Sequence, residues 1–157
     1  MKVKFIISIV SFLFLFTSCS SVKVDYEKHI DFSRYKTFAY IKDGIGSEKL
    51  PVKYKKIIVY EIDRFIKEEN LQPDVNHPDL LVLIEPDFHK RYDVYAPGIY
   101  HSRKSYEGSI IIKFIDAKTN RPIWTGKFYL NFSNSGQLRR YIRKKLSKLA
   151  DKYPPYY

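Results

Sequence analysis

A disulfide within the chain is excluded, because Cys19 is its only cysteine and a bridge needs two. There is no G-x-S-x-G elbow and no glycine-rich phosphate loop among the six glycines, so neither an α/β-hydrolase nor a nucleotide-binding signature is present. Acidic residues are scarce, 17 against 28 lysines and arginines. The most apolar run, residues 5–16, is interrupted only by Ser8 and Ser11. At 1.5 Å per residue it would span about 18 Å as a helix, well short of the roughly 30 Å hydrocarbon core. No internal repeat or low-complexity segment occurs.

What is present at the start is an export signal. Lys2 and Lys4 precede the apolar run, Thr17 and Ser18 follow it, and Cys19 closes it. This order of positive, apolar and small residues is that of a signal peptide. It resembles the bacterial lipobox, with Phe16 where leucine is usual. The resemblance implies cleavage before Cys19 and a diacylglyceryl group on its sulfur, which would account for a lone cysteine in an oxidising compartment. Each buried CH₂ of such an anchor contributes roughly 0.8 kcal/mol. Ser20 stands where an aspartate would signal retention in an inner membrane. The expected location is therefore the bacterial cell envelope, the outer membrane rather than the inner, and the periplasmic face rather than the cell surface.

Removal of the first 18 of 157 residues leaves 139, the size of one domain. A hydrophobic content of 45% is that of a globular chain. The formal charge of +11 falls to +9 without Lys2 and Lys4. Such a charge usually points to nucleic acid, but an exported chain does not meet it. The acidic partners left are lipid head groups, envelope polysaccharide or an acidic protein surface. The organisation expected is a signal over residues 1–18, a lipidated lead-in over 19–27 and one domain over 28–157.

Along the lead-in, Val22, Val24 and Tyr26 alternate with polar residues, as in a short edge strand. Residues 35–41 are β-branched and aromatic and read as a second strand. Pro51 opens a helix whose apolar positions, Tyr54, Ile57, Ile58, Ile62, Phe65 and Ile66, recur at spacings of three and four. It ends near Asn70, before Pro73. Five apolar residues at 80–84 suggest a central strand covered on both faces. Residues 87–106 read as an irregular, tyrosine-rich loop. Residues 108–115 and 122–132 form a hairpin, with Gly126 admitting a neighbouring ring. A last helix from Ser135 to about Lys152 buries Leu138, Ile142, Leu146 and Leu149. The order predicts an α+β domain, a mostly antiparallel sheet of four to five strands with two amphipathic helices packed on one face.

Several segments carry a resemblance. They are Asp31-Phe32-Ser33-Arg34-Tyr35-Lys36-Thr37-Phe38-Ala39-Tyr40, Pro78-Asp79-Leu80-Leu81-Val82 and Glu107-Gly108-Ser109-Ile110. Then come Asp116 with Ile123-Trp124-Thr125-Gly126, and Lys152-Tyr153-Pro154-Pro155. In this order they resemble the bacterial lipoprotein family known as domain of unknown function 4136. Tyr40 stands where tryptophan is common there, and Tyr153 where phenylalanine is. The resemblance implies a signal-anchored envelope domain and supplies no catalytic residues.

Asp87, His89, Asp93 and His101 match no metal-ligand spacing, so no metal or other cofactor is expected. The chain reads as non-enzymatic, with an accessory or binding role in the envelope. The alternative is a carrier or transport auxiliary that holds a hydrophobic ligand between sheet and helices. The candidate binding residues are Tyr92, Tyr95, Tyr100 and Arg103, since tyrosine combines apolar area with a hydroxyl suited to sugars, lipids or proteins. The candidate membrane-contacting residues are Arg139, Arg140, Arg143 and Lys144 on the basic face of the last helix.

Overall fold

The computed structural model describes residues 22–41, 50–94 and 102–153. Periodicity of two builds six strands: β1 (Val22–Tyr26), β2 (Thr37–Tyr40), β3 (Gln72–Pro73), β4 (Leu80–Val94), β5 (Ser102–Asp116) and β6 (Arg121–Phe132). Periodicity of 3.6 builds two helices, α1 (Val52–Glu68) and α2 (Ser135–Ala150), and a 3-10 turn spans Phe32–Arg34. The strands form a single sheet in the order β1-β6-β5-β4-β2-β3. The β1, β6, β5 and β4 ladders are antiparallel, whereas β2 runs parallel to both β4 and β3.

The α+β class agrees with the sequence. The sheet is larger and more mixed than four to five mostly antiparallel strands. The addition is β3, two residues paired beside β2, where the Gln72 N–H donates to the Lys36 carbonyl at 2.8 Å and the Asp74 N–H to the Phe38 carbonyl at 2.9 Å. A strand that short has no period to detect. A second difference concerns residues 87–106. Residues 87–94 and 102–106 are strand rather than loop: β4 continues to Val94 and β5 begins at Ser102, in register from Leu80↔Asp116 to Val94↔Ser102, while 95–101 lie outside the described residues. Strand β6 ends at Phe132, opposite Tyr106. Residues 91–94 and 102–105 therefore continue as a two-stranded ribbon past the end of the sheet.

Both helices cover one face. Ile58, Ile62 and Ile66 of α1 and Leu138, Ile142 and Leu149 of α2 are wholly buried. They rest on Leu80, Val82, Ile84 and Phe88 of β4, Ile110, Ile112 and Phe114 of β5, and Trp124 and Phe128 of β6. Tyr54 at the start of α1 packs edge-on against Tyr106 and Phe132, and Phe65 near its end lies 6.5 Å from Trp124. α1 thus runs from the ribbon end of the sheet to the opposite end. α2 follows the same direction, from its Asn134 cap to Leu149 beside Gly126. A Cβ on Gly126 would lie 2.6 Å from the Trp124 ring and 3.0 Å from a Leu149 methyl, so the absent side chain does admit that ring.

On the other face of β4, Leu81 and Leu83 are only half-buried. The helices cover one side of this strand, not both. Apolar residues remain on its outer side because the neighbouring strand supplies Ile111 and Ile115 at paired positions, Glu85↔Ile111 and Leu81↔Ile115, so the side chains shield one another across the ladder.

Candidate functional site

The ribbon is positioned by an aromatic base. Tyr106 stacks on Phe132 at 5.4 Å, Phe88 meets the same ring at 5.5 Å, and Tyr54 closes the group from α1. All four are buried. Above this base the side chains turn polar, Ser105 still buried at 2% exposure. Tyr92, opposite Lys104 in the ladder, is 58% exposed. Arg91 donates to Glu107 across the strands at 3.0 Å, and the Lys104 ammonium lies 5.6 Å from the Tyr106 ring, within cation–π range. Arg103 is paired with Asp93 in the register. Tyr95 and Tyr100 lie outside the described residues. Below the ribbon, Asp87, His89, Glu107, Ser109, Tyr129 and Asn131 line an open groove of about 480 Å³ on the face away from the helices. Asp87 and His89 share one side of β4. Among the described residues no three His, Cys, Asp or Glu side chains converge as metal ligands would.

The four basic residues of α2 divide into two sets. The Arg143 guanidinium donates to both oxygens of Glu61, at 2.8 and 3.0 Å. Arg139 and Arg64 each approach the same carboxylate at 3.5 Å. Glu61 has no solvent exposure, and the acceptor carboxylate raises the Arg143 pKa, against a smaller opposing effect of burial. Two of the residues expected at a membrane are thus joined to α1. Arg140 and Lys144 are exposed. The sequence reading missed Glu61. Its signal was its place in the apolar stripe, three residues after Ile58 and four before Phe65.

A second missed residue is Asp116, 4% exposed at the end of β5. It accepts from the Tyr35 hydroxyl at 2.7 Å, the Arg34 guanidinium at 3.0 Å and the backbone N–H groups of Lys118 and Thr119 at 2.9 and 2.8 Å. Burial works to raise its pKa, but these donors outweigh it and bring the carboxyl down to about 2. Nearby, Asp79 accepts from the N–H groups of Lys36 and Thr37, and Thr37 accepts from the Asp79 N–H. Phe32, Phe114, Trp124 and Tyr153 form the adjoining aromatic cluster, with Phe114 stacked on Trp124 at 4.7 Å. Of the segments that carried the family resemblance, Glu107-Gly108-Ser109-Ile110 lies at the ribbon end, whereas residues 31–40, 78–82, 116 with 123–126, and 152–153 converge on the other end of the sheet, where they lock the β5–β6 turn to the start of β2. They are structural residues, and the exposed tyrosine and basic surfaces lie elsewhere.

The architecture is that of an α+β domain with two parallel-running helices on one face of a mixed sheet. The chain belongs to the family described as Domain of unknown function (DUF4136), which it matches over residues 22–155. No curated protein matches it in sequence. Its fold is similar to that of a PDZ domain protein from Parabacteroides distasonis, at 22% identity and a TM-score of 0.60 over 86% of this chain. The chain spans only 35% of that protein's length. It is also similar to the lipoprotein GNA1162 from Neisseria meningitidis, at 11% identity and a TM-score of 0.52, covering 73% of this chain and 98% of that one. A third similarity is to PelC from Paraburkholderia phytofirmans, solved as a dodecamer, at 9% identity and a TM-score of 0.50, covering 82% of this chain and 94% of that one.

Proposed function

We propose that this protein is a lipid-anchored domain of the bacterial cell envelope that binds a partner through its projecting β4–β5 ribbon and performs no catalysis. The anchor is a lipid on Cys19. The membrane is the outer one, and the domain lies on its periplasmic side. The charge and apolar pattern of residues 1–19 and the membership of a family of unknown function support this reading. The observation that carries it is the ribbon itself. An exposed tyrosine on a two-stranded extension adds nothing to the core, while the buried Tyr106–Phe132–Phe88 base ties the start of that extension to the core. Such attachment lowers the ordering cost of binding. Tyr92, Tyr95, Tyr100 and Arg103 are the residues proposed to touch the partner, which is an envelope protein, a polysaccharide or a lipid.

The carrier reading finds less support. Between sheet and helices the space is filled by Ile58, Ile62, Ile66, Phe114, Trp124 and Phe128, each at most 1% exposed. The test is a photo-crosslinking amino acid placed at Tyr92 in intact envelopes, with Val75, 80% exposed at the far edge, as the control. A discrete adduct from position 92 and not from position 75 supports ribbon binding. Identical adducts from both, or none from position 92, refutes it.

A further inference from the structure

Helix α2 contains six basic residues, Arg139, Arg140, Arg143, Lys144, Lys145 and Lys148, and no acid within its sixteen residues. Like charges four apart on a helix destabilise it by roughly 0.2–0.5 kcal/mol per pair, so this density has a cost that something offsets. Glu61 of α1 offsets it for Arg139 and Arg143. Arg140, Lys144 and Lys148 lie at i, i+4 and i+8, a row along the side of the helix away from its buried stripe. Burial lowers the Lys145 pKa, and the neighbouring charges of Lys148 and Lys144 lower it further, as expected of cations crowded together. Asp151 stands at the C-cap of the helix, and Asp25 and Glu27 are exposed on or just after β1, so the row carries the positive charge of this flank.

The position of α2 in the fold gives the row a partner. The helix covers the β1 flank of the sheet: Lys152, just after it, donates to the Val22 carbonyl at 3.4 Å. Val22 opens β1, an edge strand, and Lys23 beside it is exposed. Only three Cα steps separate Val22 from Cys19, at most about 11 Å. A lipid on Cys19 would hold this flank within that distance of the bilayer. A basic residue near an anionic membrane surface contributes roughly 1 kcal/mol, an attraction that decays within a Debye length of about 8–10 Å.

We propose that Arg140, Lys144 and Lys148, with Lys23 and Lys152, seat the domain on anionic phospholipid head groups of the membrane that holds its anchor. The sheet then stands on its β1 edge. The β3 edge is raised by five strand spacings, about 24 Å, and the β4–β5 ribbon runs along the membrane surface. This rests on lipidation of Cys19 as proposed above.

The test uses the full lipidated protein reconstituted into phosphatidylethanolamine–phosphatidylglycerol vesicles. Ser147→Cys on α2 and Val75→Cys beside β3 each carry a fluorophore, and a quencher is confined to the lipid head groups. Vesicle flotation reads the anchor, and quenching reads the seat. The expected result is quenching at position 147 at least about threefold that at position 75, given the roughly 24 Å between the sheet edges. That preference disappears in phosphatidylcholine vesicles and in the Arg140→Glu, Lys144→Glu, Lys148→Glu variant, whose circular dichroism and melting match the parent. Equal or reversed quenching in a protein that floats overturns the seat and leaves the anchor standing. A lipidated preparation that does not float overturns both.

Discussion

Arg143 and Arg140 are three residues apart on α2 and equally plausible as surface cations in the sequence, yet the structure gives them different work. Removing Arg143 leaves the wholly buried Glu61 carboxylate with only Arg64 and Arg139 at 3.5 Å. Stranding a buried charge costs far more than losing a surface pair. Arg143→Ala should therefore destabilise the domain by about 2–3 kcal/mol, and Arg140→Ala should stay within about 0.5 kcal/mol, both read by urea denaturation. Equal effects would show that the Glu61 cluster does not bear on stability. Asp116 gives a pH-dependent counterpart. Its folded pKa, about 2, lies below the unfolded value of roughly 3.9. The ionised form is the one the donors stabilise, so that contribution is present above pH ~4 and lost as the pH falls towards 2. Asp116→Asn should be less stable than the parent at neutral pH, with the difference shrinking across that window. A difference that stays constant from neutral pH to pH ~2 would contradict this.

At the level of elements, the ribbon offers a contrast between two tyrosines fourteen positions apart. Tyr106 is 2% exposed and stacked in the aromatic base, whereas Tyr92 is 58% exposed. Tyr106→Ala should cost about 3–5 kcal/mol, as other large core truncations do, and Tyr92→Ala less than about 0.5 kcal/mol. A comparable loss at Tyr92 would make it a packing residue and remove the basis for ribbon binding. The two helices and the β5–β6 hairpin were legible in the sequence because each has one face against the core, and burial is what writes a period into a sequence. The ribbon was not legible for the same reason. Past Phe88 the successive residues Lys90, Arg91 and Tyr92, and Lys104 opposite them, are exposed, so they follow no alternation and read as a loop. Pro86 falls within the strand too, at a place where β4 has no ladder partner on its β2 side among the described residues, and an open edge tolerates the missing N–H. The pairing of Glu61 with Arg143 was hidden differently. Its two halves are 82 residues apart, and no local pattern joins them.

For the whole molecule, the two proposed attachments to the membrane would act at once, and their sizes differ. The three residues of the α2 row alone, at roughly 1 kcal/mol each, amount to about a hundredfold preference for an anionic surface, to which Lys23 and Lys152 would add. One acyl chain alone binds with a constant of about 10⁴ M⁻¹, and chains held together on one residue bind far more firmly. Under this proposal the anchor decides whether the domain is on the membrane, and the basic row decides only which way up it sits. Cys19→Ala should consequently incorporate no labelled palmitate and appear in the soluble fraction at physiological salt, where the Debye length of about 8 Å also weakens the basic row. At low salt a minor fraction should return to anionic membranes and be released by added salt, whereas the parent should leave only with detergent. If the variant still incorporates palmitate, lipid is attached elsewhere. If it stays membrane-bound at physiological salt without label, the surface charges are the main attachment, and the roles of anchor and basic row are reversed.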